Sequence, residues 1–174
     1  MHPCACHRNT ETQKYFFGTT CATTWLRSNE QDVGDRPATY FTSGMRSHSA
    51  DGAFRELTND IIGAAIEVHR NLGPGLLEST YEECLEWELR QRRLTVSRQL
   101  VVPLKYKEKP LGSVYRLDLL VEKVVIVEVK AVDRLAPVHQ AQMLTYLRHT
   151  GLRVGLILNF NTAVLPDGIK RVSL

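Results

Sequence analysis

The sequence has no long apolar run. Its longest uninterrupted aliphatic stretch, residues 124–127, is four residues, against the roughly 20 that a membrane-crossing helix needs. The first 17 residues, MHPCACHRNTETQKYFF, hold no apolar core behind a basic start. That pattern predicts no secretory signal and, by default, a cytoplasmic protein. Cysteine is also sparse, with Cys4, Cys6, Cys21 and Cys84 the only four. Three of them fall in the first 21 residues, so they do not frame a small disulfide-stapled domain. Cys4 and Cys6 beside His2 and His7 match no zinc-module spacing, and Cys84 reads as a small core residue. A strong charge bias is missing as well. The formal net charge is +3 over 174 residues, which excludes a highly basic nucleic-acid arm or an acidic tail but not a local basic patch.

Residues 1–50 carry no sustained period of 2 or 3.6, and they are rich in Thr, Ser, Asn, Gly and Asp. They are expected to be a disordered N-terminal extension. Their charges nearly cancel, with Arg8, Lys14, Arg27, Arg36 and Arg46 against Glu11, Glu30, Asp32 and Asp35. Met45 stands just before the first clear pattern, and a natural start there is a further expectation. Residues 51–174 are then one domain of ordinary size with enough apolar content for a core.

Leu57, Ile61, Ala65, Val68 and Leu72 recur at helical steps. Thr58 or Asn59 is the expected cap, and Gly73-Pro74-Gly75 is the expected stop. A second helix is predicted over residues 76–92, with Arg90, Arg92 and Arg93 suiting the negative end of its dipole. The period then changes to that of strands at residues 95–106, 113–121 and 124–130, with a polar turn at 107–112 and a tight connection at Glu122-Lys123. Pro103 implies an edge strand or a bulge. A helix over 139–150, stopped by Gly151, precedes a strand at 153–160 and a weak one at 169–172. A helical crossover favours a parallel return in the same sheet. The final main strand is therefore expected beside residues 124–130, giving an α/β sandwich.

Within RLDLLVEKVVIVEVKAV, residues 116–132, three charged groups interrupt two strands that otherwise read as buried: Asp118, Glu128 and Lys130. Side chains at i and i+2 share a strand face, so Glu128 and Lys130 emerge together. Buried charge requires a partner. Two carboxylates from adjacent strands suit Mg²⁺ or Mn²⁺, which prefer hard oxygen donors. A lysine on the same face can position a water or offset charge on a reacting phosphate. Metal-assisted phosphodiester hydrolysis is the chemistry this set would serve, and a Glu128–Lys130 ion pair is its structural alternative. Glu78 and Tyr81 lie one turn apart on the second helix, and Gln142 and Tyr146 are spaced i, i+4 on the last.

GPGLLESTY carries Gly75, Glu78 and Tyr81 as Gly-x-x-Glu-x-x-Tyr. It is followed by YRLDLLVE, VIVEVKAV, PVHQAQMLTYL and GLILNFN. From residue 54 to the end the chain thereby resembles the GxxExxY family, a branch of the PD-(D/E)XK nuclease-like superfamily. The resemblance implies a restriction-endonuclease-like αβββαβ core, a mixed central sheet flanked by helices. It also implies Asp118, Glu128 and the helix-borne Glu78 as metal ligands for Mg²⁺ or Mn²⁺, and Lys130 as the catalytic lysine. Gln142 and Tyr146 match the Gln-x-x-x-Tyr element beside the site, and His69 and His139 lie in matching stretches. Leu117 stands where the superfamily motif has its proline. The expected partner is nucleic acid, DNA or RNA. Two functional readings follow: a metal-dependent nuclease, or a non-catalytic domain of the same fold that binds nucleic acid or a protein.

Overall fold

The computed structural model describes residues 47–107 and 109–174. Expectations about the first 46 residues, including the cysteine and histidine pattern there, lie outside them. The elements run α1 (Ser47–Leu72), α2 (Glu78–Gln91), β1 (Val96–Tyr106), β2 (Lys109–Val121), β3 (Val125–Lys130), α3 (Pro137–Thr150), β4 (Val154–Asn159) and β5 (Ile169–Ser173). A short 3-10 turn, Leu165–Gly168, precedes β5.

The five strands form one sheet in the order β1-β2-β3-β4-β5. The first three are an antiparallel meander, β4 returns through α3 to lie parallel to β3, and β5 closes the sheet antiparallel to β4. This is the mixed α/β architecture of the restriction-endonuclease-like fold, with the predicted αβββαβ order. Pro103 sits on the edge strand and beside a register shift. Both readings of it therefore hold.

Strand alternation divides the sheet into two faces. Val125, Val127 and Val129 of β3 and Leu156 and Leu158 of β4 pack with Ile61, Leu85 and Leu89 of α1 and α2 in one apolar cluster. The opposite face meets α3, whose Met143 and Leu147 are fully buried. Helix α3 approaches closely because Gly155 in β4 has no side chain; a Cβ there would collide with the Met143 sulfur.

Two local expectations change. Helix α1 begins at Ser47, and Thr58 is an interior residue rather than a cap. Only 1% exposed, Thr58 turns its hydroxyl back to the carbonyls of Phe54 and Arg55 at 2.9 and 3.0 Å, the alternative open to a hydroxyl inside a helix. Strand β2 starts at Lys109, four residues before the expected start, since Lys107 takes the positive φ of the turn (53°) and Pro110 and Gly112 lie within the strand. Two of the arginines at the end of α2 have partners as well. Arg90 binds Glu86 and the Val96 carbonyl, and Arg92 binds Glu88 and the Asp60 carbonyl.

Candidate active site

The β2–β3 register pairs Leu120 with Ile126 and Leu119 with Val127. One further step would set Asp118 against Glu128, yet backbone pairing stops there. Instead the Val129 N–H donates to Asp118 Oδ2 at 2.9 Å, so a carboxylate replaces the missing rung. The alternation that buries Val127 and Val129 sends Glu128 and Lys130 to the other face, where Lys130 Nζ donates to Glu128 Oε1 at 2.8 Å. Glu128 is 3% exposed. Its second oxygen, Oε2, is buried with no hydrogen-bond partner.

A buried carboxylate oxygen without a partner is costly, and the surrounding charges do not relieve it. Burial, and then the Asp118 charge, push the Glu128 carboxyl up to about 7, against the pull of Lys130. Burial also raises Asp118, opposed by the Val129 N–H and Lys130 and reinforced by Glu82 and Glu78. For Lys130 burial is the largest influence and would lower the pKa, but Glu128, Asp118 and Glu78 together carry it upward and keep the ammonium charged. Three acids thus act on one lysine, and Glu128 alone is paired with it. The cluster is short of positive charge.

Glu78 sits at the first turn of α2, where its Oε1 accepts the Ala131 N–H at 2.9 Å, just past Lys130. The loop that delivers it is fixed by Tyr81. The Tyr81 hydroxyl donates to the Gly73 carbonyl at 2.6 Å and accepts the Leu76 N–H at 3.1 Å, while its ring stacks on Phe160 at 4.5 Å. Gly75 has φ +102°, a conformation open to glycine and strained for other residues. In Gly-x-x-Glu-x-x-Tyr the glycine and the tyrosine therefore build the bend, and the glutamate is the part that reaches the cluster.

Gln142 Nε2 donates to the Tyr146 hydroxyl on α3. Burial, then Glu128, raise the Tyr146 pKa, so the phenol stays protonated beside the acids. The histidines have structural partners. His69 Nε2 pairs with the Thr162 carbonyl at 2.9 Å, and His139 Nδ1 accepts the Ala136 N–H at the start of α3.

Three neighbours of the site escaped the sequence reading. Glu82, 4% exposed, accepts from Arg98 Nε and from Gln99 Nε2, each at 2.7 Å, and its charge raises Asp118. The available signal was its i, i+4 spacing from Glu78. Gln99 falls where the β1–β2 register would place Asp118 opposite, and its φ of 53° breaks the ladder there. Asn159, beside Lys130 in the β3–β4 register, holds the N–H and carbonyl of Val132 at 3.0 and 2.7 Å, clamping the chain after the lysine.

The donor set fits a hard divalent cation. The fit rests on the partnerless Glu128 oxygen, a neighbouring carboxylate and an excess of negative charge. Among the described residues no three His, Cys, Asp or Glu side chains gather as a ready-made metal cage. Mg²⁺ is commonly held by one or two carboxylates with water and phosphate oxygens completing its shell.

The fold is that of a nuclease-like α/β domain. The model of the PD-(D/E)XK nuclease superfamily matches residues 55–172, and the chain belongs to that superfamily. Searches of curated proteins and of solved structures returned no match. Among the described residues no helix is long and apolar enough to cross a membrane.

Proposed function

We propose that the chain is a metal-dependent nuclease of the GxxExxY branch, acting in the cytoplasm on phosphodiester bonds of DNA or RNA. The observation that carries this reading is the buried, partnerless Oε2 of Glu128 in a cluster with more acid than base. Asp118 and Glu128 would hold Mg²⁺ or Mn²⁺, with Glu78 at the edge of the set. When bound, such an ion supplies Lewis-acid polarisation of a phosphoryl oxygen and a more acidic water.

The protein's own groups do the remaining work. Lys130, kept charged by its acidic neighbours, offsets negative charge developing on the phosphate. Tyr146 accepts from Gln142 and keeps its own proton on Oη, which leaves a donor facing the same cluster. Asn159 restrains the backbone that follows Lys130. The test is incubation with single- and double-stranded DNA and with RNA in Mg²⁺ or Mn²⁺, beside a Glu128→Ala variant. Cleavage that needs metal and falls by at least about 100-fold in the variant is expected, beyond the loss typical of outer-shell partners. Equal behaviour of the two proteins on every substrate would defeat the proposal.

One observation favours a binding-only domain: the Lys130 ammonium is already paired with Glu128. Metal titration separates the readings. A ligand at 100 times its Kd stabilises the fold by about 2.7 kcal/mol, so the nuclease reading expects the melting temperature to climb with Mg²⁺ or Mn²⁺, an effect lost in Asp118→Asn. A flat titration with salt-sensitive nucleic-acid binding supports the binding domain.

A further inference from the structure

A pocket of about 320 Å³ is lined by Phe54 and Arg55 of α1, Arg153 just before β4, Val154 of β4, and Arg171 and Ser173 of β5, with Leu174 at its edge. Three arginines and a serine are among its lining residues, and among the described residues no Asp or Glu is. Among the described residues none of the three arginines is in an ion pair. Arg171 is tethered at one point: its Nη1 donates at 3.3 Å to the hydroxyl of Thr58, a buried side chain inside α1.

This pocket is separate from the carboxylate cluster. Arg171 and Ser173 pair with Leu156 and Val154. Cross-strand partners share a face, and Leu156 belongs to the face covered by α1 and α2, opposite Glu128 and Lys130. Along the strands the two sites also lie at opposite ends. Val154 pairs with Val125, whereas Lys130 pairs with Asn159, and five strand residues span about 17 Å. A phosphate bound between Asp118 and Lys130 cannot also touch these arginines.

We propose that Arg55, Arg153 and Arg171 form a binding site for a phosphate-bearing anion. Guanidinium is always charged and presents a planar fork of donors that matches phosphate oxygens. Three of them, from α1, the connection before β4 and β5, with Ser173 adding a hydroxyl, outnumber the single α-carboxylate of Leu174 at the pocket's edge. The pocket volume accommodates a phosphoryl or pyrophosphoryl group with its water. The proposal stands whether or not the carboxylate cluster cuts nucleic acid.

The test is calorimetric titration of the full chain with inorganic pyrophosphate and, separately, with a short DNA oligonucleotide, both in chelator so that no cleavage occurs. Arg153→Gln, Arg171→Gln and, as a control on charge alone, Arg148→Gln on the exposed end of α3 are titrated alongside. Arg153→Gln leaves the Thr58 contact intact and so guards against a folding artefact. Expected is saturable binding that weakens by on the order of tenfold or more in each pocket variant, the size of one charge-assisted hydrogen bond, and is unchanged in Arg148→Gln. Arginine-dependent binding of pyrophosphate supports the site with a free anion as ligand. Arginine-dependent binding of the oligonucleotide alone supports it with a backbone phosphate as ligand. Absence of saturable binding of either probe, or equal losses in Arg148→Gln, overturns it.

Discussion

At the scale of single residues, Glu128 bears opposing demands. The folded chain holds its carboxyl at about 7 against an ordinary value near 4.3, so between those values the native state binds more protons than the unfolded one. Stability then falls as pH rises through that window. In the metal-free protein Glu128→Gln is expected to melt above the wild type at pH 8, with the gap closing towards pH 5. Thermal melts in chelator across that range check the sign, and a gap that widens on acidification would contradict it. Tyr81 is a different case, because its role is architectural. Tyr81→Phe keeps the stack on Phe160 but strands the Leu76 N–H and the Gly73 carbonyl, a loss of about 1–3 kcal/mol readable by urea denaturation.

At the scale of elements, periodicity made most of the fold legible. Apolar residues at helical steps located α1 and α2, and the two-residue alternation located β1 to β3. The connection at Glu122-Lys123 was readable as tight although both residues take positive φ without being glycine. What resisted reading was polar chemistry that mimics a boundary. Thr58 resembles a cap, yet its hydroxyl is satisfied within the helix. Pro110 and Gly112 resemble a turn, yet they lie inside β2. Asp118, Glu128 and Lys130 were legible because charge on apolar strands is conspicuous, whereas Glu82 and Gln99 were not, since their meeting depends on the break in β1. Packing of α3 yields a prediction at this scale. Gly155→Ala would force the Met143 side chain off β4, costing about 1–3 kcal/mol as other overpacked cores do. Met143→Ala in the same chain is expected to recover part of that loss in the melting temperature.

At the scale of the whole molecule, the sheet separates its tasks. One strand, β3, gives its valines to the core on one face and its charges to the candidate site on the other. The arginine pocket occupies the core-facing side at the far end of β4 and β5. Membership of the superfamily agrees with this layout.

The tie between Glu78 and the Ala131 N–H bears on how the site comes together in time. Asp118 meets Val129 across 11 residues of chain, whereas Glu78 meets Ala131 across 53. Closing the longer loop costs about 1.4 kcal/mol more in chain entropy, and hairpins form within about 1–10 μs. The acid pair and its lysine can thus arise early from a local hairpin, with Glu78 arriving only when α2 docks. Fraying of the first turn of α2 would reverse that last step, releasing Glu78 while the strands still hold Asp118 and Glu128 side by side.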